Sequence, residues 1–320
     1  MKKKLLSMTL LLYILFCLPT GANAAQMLIP GGNVVGLELQ NDTVSVASFE
    51  KDSSAEKAGL APGDRLLAVN GQTVTCAQDV RKTLNRSHGT VELTVLRGNS
   101  VKKLQVEPAI TADGPKLGVY LREGITGIGT VTYYDPQRQT FAALGHGVND
   151  GDGQLLKLTS GNAYPAKITA VRKGKTGQPG QLMGTLTSTG KFGNLIKNTH
   201  AGVFGSLRQL PKDQPLPVAE KHQIRLGSAT ILSTVNTEMP QEYSVEIVKI
   251  YSASRQNGRN MLLRITDPQL LAATGGIVQG MSGSPIIQNG HLIGAVTHVL
   301  VNDPTTGYGI FIENMLDAAA

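Results

Sequence analysis

Residues 280–287 read "GMSGSPII", inside the longer stretch "TGGIVQGMSGSPIIQNGHLIGAVTHV" (274–299). A serine between glycines, followed by proline and alternating apolar residues, is either a glycine-rich turn between strands or the loop of a nucleophile. A nucleophilic serine needs an exposed hydroxyl, a nearby base, and backbone N–H groups aimed at the developing oxyanion. Gly280 and Gly283 let the chain turn sharply on either side of Ser282 and let a substrate carbonyl approach the backbone. A strand-to-helix nucleophile elbow requires glycine two residues after the serine and a helix beyond it. Here that position is Ser284, Pro285 follows, and the chain continues as a hairpin turning at Gln288-Asn289-Gly290. The elbow is therefore disfavoured, and a serine loop feeding a β-hairpin fits.

The rest of the chain supports a β-rich protein. Its 320 residues suffice for two domains, with 41% hydrophobic residues for a packed core. It holds 37 glycines, no tryptophan and few aromatic residues, and long helical patterns are scarce. The net charge of +7 includes Lys2, Lys3 and Lys4, and the other basic residues are scattered. Nucleic-acid binding is thus disfavoured, and attraction to an anionic membrane surface is the better-supported partner of the two.

The first 25 residues, "MKKKLLSMTLLLYILFCLPTGANAA", have a basic start, an apolar run from Leu5 to Leu18, and small residues around Ala24. They are expected to be a signal peptide or an N-terminal membrane anchor, so the protein acts outside the compartment that makes it. Of two cysteines, Cys17 lies in that segment and Cys76 stands alone, so no disulfide or zinc cluster is expected in the mature chain. No cofactor or metal is called for.

Residues 26–108 order as a glycine-containing loop feeding a strand (33–39), a second strand (43–49), a short helix, "RLLAVNG" as a strand ending in a turn, a helix over 76–87, and a hairpin over 90–108. With "AEKAGLAPGDRLLAVNG" (55–71) at its centre, this unit resembles a PDZ domain of the bacterial protease-associated kind. The resemblance implies an α+β domain that binds an extended peptide or C-terminal segment by strand addition. Its candidate carboxylate-binding loop is Val34, Val35, Gly36 and Leu37. The plain alternative is a domain that only positions its neighbour.

Residues 109–320 hold short alternating segments broken by Gly, Asn and Asp, the pattern of an all-β sandwich or barrel. The Gly-x-Ser-Gly-x-Pro order of 280–285, with its following hairpin, is similar to the serine loop of chymotrypsin-like double β-barrel peptidases. That likeness implies oxyanion donors at the amides of Gly280 and Ser282. Among six histidines, His146 is the favoured base. It ends an apolar strand, sits between two glycines, and precedes the serine by 136 residues, in the His-before-Ser order. His298 and His200 are lesser candidates; His88, His222 and His291 lie in unsuitable contexts. For the orienting carboxylate the residues leave the choice open. Asp150 and Asp152 read more simply as a turn, and Asp267 suits a helix cap before Pro268 as well as it suits catalysis.

"LGHGVND" (144–150), the stretch from "LLRITDPQ" (262–269) to "IENML" (312–316), and the preceding PDZ-like unit together resemble the stage IV sporulation protein B peptidases of endospore-forming bacteria. The resemblance implies a triad of His146, Asp267 and Ser282. It also implies export across the forespore membrane to the intermembrane space, and cleavage there of a membrane-anchored regulator of an intramembrane protease. That cleavage activates late sigma-factor processing. Self-cleavage near the N-terminus belongs to the same picture, but the linker after Ala25 is very short here. A paralogue with another substrate and a non-catalytic exported PDZ scaffold are the competing readings.

Overall fold

The structure, a computed structural model, describes residues 26–151, 153–187, 190–252 and 258–320. The expected signal or anchor segment and Asp152 lie outside the described residues. Strand β1 (Met27–Pro30) precedes a long strand β2 (Val34–Phe49). The turn-like residues Gln40, Asn41 and Asp42 suggest two separate strands. They lie instead within one continuous strand, whose pairing slips register between Leu39 and Val44. A bulge of this kind absorbs residues that do not fit a regular ladder and bends the strand.

The outer half of β2 enters the PDZ unit. There follow helix α1 (Ser54–Lys57), β3 (Arg65–Val69), α2 (Ala77–Arg86), β4 (Val91–Arg97) and β5 (Ser100–Val106). Alternation in β4 buries Val91, Leu93 and Val95 completely against Val80 and Leu84 of α2 and Val44 and Val46 of β2. A short hairpin (109–116) then leads into β6 (Val119–Asp135), which pairs with β2 along nearly its whole length.

The inner halves of β2 and β6 belong to a barrel. β6 continues to β7 (Thr140–Ala143), β8 (Ser160–Arg172), β9 (Gln181–Leu186), β10 (Gly193–Thr199) and β11 (Gly202–Leu207). The order β6-β7-β11-β10-β8-β2 is closed by the β2–β6 pairing, giving a ring of six strands. β9 lies off this ring, paired to β8. A second ring forms from β12 (Gly227–Ser233), β13 (Gln241–Ile250), β14 (Met261–Ile265), β15 (Pro285–Gln288), β16 (His291–Leu300) and β17 (Asp303–Phe311). It is a closed barrel in the order β12-β13-β14-β17-β16-β15. Helix α3 (Pro268–Thr274) connects β14 to the serine loop, and α4 (Ile312–Ala319) closes the described chain. The chain is thus mainly β, a PDZ unit with a chymotrypsin-like double barrel, as expected.

The expected division at residue 108 does not match the strand pairing. Residues 27–39 pair within the first barrel, with β6, β8 and a short strand at 216–217. The PDZ unit occupies 44–121 as an insertion between two adjacent barrel strands. Its two connections to the barrel are the paired strands β2 and β6 themselves.

Candidate active site

The serine loop enters the site from the second barrel and is locked by the first. Thr130 of β6 donates its N–H to the Ser282 carbonyl (3.0 Å) and its hydroxyl to the Gly280 carbonyl (2.8 Å). Gly283 sits at φ +98°, and a Cβ there would fall 2.0 Å from the Thr130 carbonyl oxygen, so only glycine fits. The amides of Met281, Gly283 and Ser284 donate to Val278, Val296 and Met281 carbonyls. Those of Gly280 and Ser282 have no acceptor among the described residues. The loop therefore leaves unspent the two N–H groups that sequence reasoning assigns to the oxyanion.

The Ser282 hydroxyl donates to the Thr297 carbonyl at 2.8 Å. That carbonyl is free because β16 bulges at Thr297: the ladder to β17 passes from Val296↔Gly309 directly to His298↔Tyr308. The nucleophile thus rests on a bulge carbonyl, and rotation about its Cα–Cβ bond redirects Oγ into the adjoining cavity.

His146 reaches the same cavity from the first barrel. After β7 the chain makes a three-residue turn in which Gly145 N–H donates to the Ala143 carbonyl (2.9 Å) around Leu144 at φ +71°. This is a γ-turn of the rare positive-φ kind, and leucine there is strained. Leu144 N–H also bonds the Thr130 carbonyl at 3.2 Å, so one residue of β6 steadies both the serine loop and the histidine turn. His146 Nδ1 lies 2.9 Å from the Gly147 carbonyl, which only accepts. Nδ1 therefore carries the proton, and Nε2 keeps the lone pair a general base needs. Burial lowers the His146 pKa, partly offset by the Gly147 carbonyl. His146 and Ser282 line one cavity of about 240 Å³.

His298, a lesser candidate for the base, is instead a neighbour of it: the two imidazoles lie 5.1 Å apart, centroid to centroid, at 38°. Burial, the His146 ring and Arg259 push His298 down to about 4. Its Nδ1 is buried without a hydrogen-bond partner among the described residues. His298 therefore packs against the base as a neutral ring.

The structure does not bring Asp267 to His146. Its Oδ1 accepts from the amides of Gln269 and Leu270, both at 2.9 Å, and its Oδ2 from that of Ser244 at 3.3 Å. It is the N-cap of α3. Gly258, whose carbonyl bonds the Thr297 hydroxyl, lies near the site end of β14. Five strand residues advance about 16 Å from there before Asp267 is reached. The Gly147 carbonyl holds the imidazole tautomer in its place. Asp150 accepts from Gln154 N–H (3.0 Å) within its turn. His88, His200 and His222 are exposed. Asp267→Asn keeps an oxygen for the cap, so cleavage within about threefold of wild type is expected. A fall of about 10⁴-fold in kcat, measured on a peptide substrate, would restore the orienting role to Asp267.

The PDZ loop also lies elsewhere than expected. Val34, Val35, Gly36 and Leu37 are inside the first barrel, where Gly36 pairs with Ile128 on one side and Tyr164 on the other. Both strand edges are used, so no free row of amides remains for a peptide. The groove of the PDZ unit runs between α2 and residues 117–121, about 600 Å³, lined by Val80, Leu84, Leu117, Val119 and Leu121. On its other edge this part of β6 pairs with β2. Gly118, at φ +72°, turns the chain into the groove. The apolar-Gly-apolar order of "KLGVYL" (116–121) was as good a signal as "VVGL".

A family model described as SpoIVB peptidase S55 matches residues 113–316, and one described as a PDZ domain matches 45–97. A putative zinc metalloprotease of Rhizobium meliloti is 29% identical over 153 residues, 45% of this chain and 41% of that protein. Serine protease HTRA1 of Xenopus laevis is 35% identical over 57 residues, 18% of this chain and 12% of that protein. The chain spans less than half the length of these curated relatives. The active form of the Rv3671c protease of M. tuberculosis aligns with TM-score 0.38 and 14% identity, covering 60% of this chain and 72% of that one. The HtrA-type protease AlgW with a decapeptide aligns with TM-score 0.36 and 10% identity, covering 62% and 53%.

Proposed function

The chain belongs to the SpoIVB peptidase S55 family, serine peptidases that here carry a PDZ domain, and from that premise we propose how it cleaves and what it cleaves. The observation that carries the mechanism is one cavity walled by Ser282 of one barrel and His146 of the other, with the Gly280 and Ser282 amides unspent beside it. Ser282 Oγ leaves the Thr297 carbonyl and attacks a peptide carbonyl as His146 Nε2 takes its proton. The Gly280 and Ser282 amides receive the oxyanion, each worth about 3 kcal/mol of barrier. The amine then leaves with the proton from His146, and water releases the acyl group by the same steps in reverse. No cofactor takes part.

The family's description and the signal-like first 25 residues support a sporulation endopeptidase exported from the forespore to the intermembrane space. Its substrate is a membrane-anchored regulator of an intramembrane protease, and its cut triggers late sigma-factor processing. Strand β1 begins at Met27, so cleavage after Ala24 leaves the first barrel whole. A longer self-released segment has no room between Ala24 and β1. The PDZ groove supports a peptide or C-terminal segment adding to β6, the strand that also holds the serine loop through Thr130. In sporulating cells, new N-termini on an envelope protein are expected with the wild type and absent with Ser282→Ala. Identical sets of N-termini in the two strains would overturn the role in sporulation.

A further inference from the structure

We propose that the hole beside the nucleophile is the subsite for an aliphatic side chain, carried by the first residue after the scissile bond. This rests on the peptidase reading above and adds the substrate class.

The hole exists because of one missing side chain. In the β2–β6 ladder Leu37 faces Gly127 and Leu39 faces Ile125, so all four point to one side of the sheet. A Cβ at Gly127 would meet nothing within 4 Å. Two residues further, at Gly129, a Cβ would fall 2.0 Å from Leu144 Cδ2, so that space is already filled. Leu144 and Val148 add to its apolar lining, and Ser282, Gly280 and His146 also line it. Among the described residues, no charged side chain other than His146 lines it. Its volume, about 240 Å³, is below the range of roughly 300–1,000 Å³ typical for whole small-molecule ligands. It suits one side chain of the size of Leu, Ile, Val or Met.

The chemistry says which residue brings that side chain. The attacked carbonyl oxygen turns to the Gly280 and Ser282 amides, the C–N bond breaks, and the departing nitrogen takes its proton from His146. The departing segment therefore passes over the barrel that carries His146. The apolar walls of the hole, Leu37, Leu39, Ile125, Leu144 and Val148, all belong to that barrel.

The test is cleavage of a proteome-derived peptide library by the full chain, read by mass spectrometry of the new N-termini. Wild type is expected to enrich Leu, Ile, Val and Met at the new N-terminus at least about tenfold over their library frequency. Gly127→Ile fills the hole, and the preference is expected to move to Gly and Ala. Gly127→Ala, which adds one methyl into open space, is expected to shift it part of the way and covers the case in which the larger variant does not fold. Enrichment only on the acyl side, or an unchanged preference in Gly127→Ala, would overturn the subsite. A fluorophosphonate probe separates the two levels. Wild type that fails to label overturns the peptidase reading, whereas wild type that labels and cleaves without aliphatic preference overturns the subsite alone.

Discussion

Peptide cleavage by the Ser282→Ala protein is expected to fall about 10⁴- to 10⁶-fold, with the fold intact. The size of the loss follows from the chemistry: without Oγ no acyl-enzyme forms, and only binding and the oxyanion donors remain. The fold survives because the bond lost, from the hydroxyl to the Thr297 carbonyl, is worth about 1 kcal/mol. The loop itself is held by Thr130, by the buried Met281 side chain and by its own amides. Thermal unfolding within a few degrees of wild type, together with lost cleavage, is the expected pair of results. A variant that still cleaves would move the nucleophile elsewhere.

His146→Ala is the second large effect, again about 10⁴- to 10⁶-fold in kcat, because serine and base act as one unit. The pH dependence of the wild type adds an independent reading of the same residue. Burial lowers the His146 pKa, so the neutral, proton-accepting form persists below the ordinary histidine value of about 6.5. Activity is present above the folded pKa and is lost as pH falls through it. The acid limb of kcat/KM, which reports the free protein, is therefore expected below pH 6.5. A limb at or above that value would contradict a buried imidazole. The same depression makes the unfolded chain bind more protons than the folded one as pH drops below about 6.5, so stability declines in that direction as well.

Ser282 and His146 were legible in the sequence because glycine spacing is a local signal with a local cause: both side chains need a bare backbone around them. The hairpin after Pro285 was equally plain, and it pointed to a serine loop between strands. Four features escaped. Leu144 carries a positive φ that no propensity assigns to leucine; it is imposed by contacts to Thr130 and by the turn of β7 toward the site. The PDZ insertion was hidden because Gln40-Asn41-Asp42 looks like a turn, whereas β2 runs through it on the strength of pairing with distant residues, Leu39 with Ile125 and Val44 with Glu123. Asp267 read equally well as cap and as catalyst, and resemblance tipped the choice to catalyst. In the structure its carboxylate oxygens accept from amides of α3 and β13, the arrangement of a helix cap. The Gly147 carbonyl that takes over the tautomer could not be found by residue type at all, being backbone.

The most direct test of the site is reaction of the wild-type protein with a fluorophosphonate, followed by digestion and identification of the modified residue by mass spectrometry. A serine becomes reactive toward this probe only where a base and oxyanion donors converge on it. The predicted result is one phosphonylated peptide, modified at Ser282, whose labelling disappears in His146→Ala and persists in Asp267→Asn. No adduct at Ser282, or equal labelling in His146→Ala, would contradict the Ser282–His146 centre.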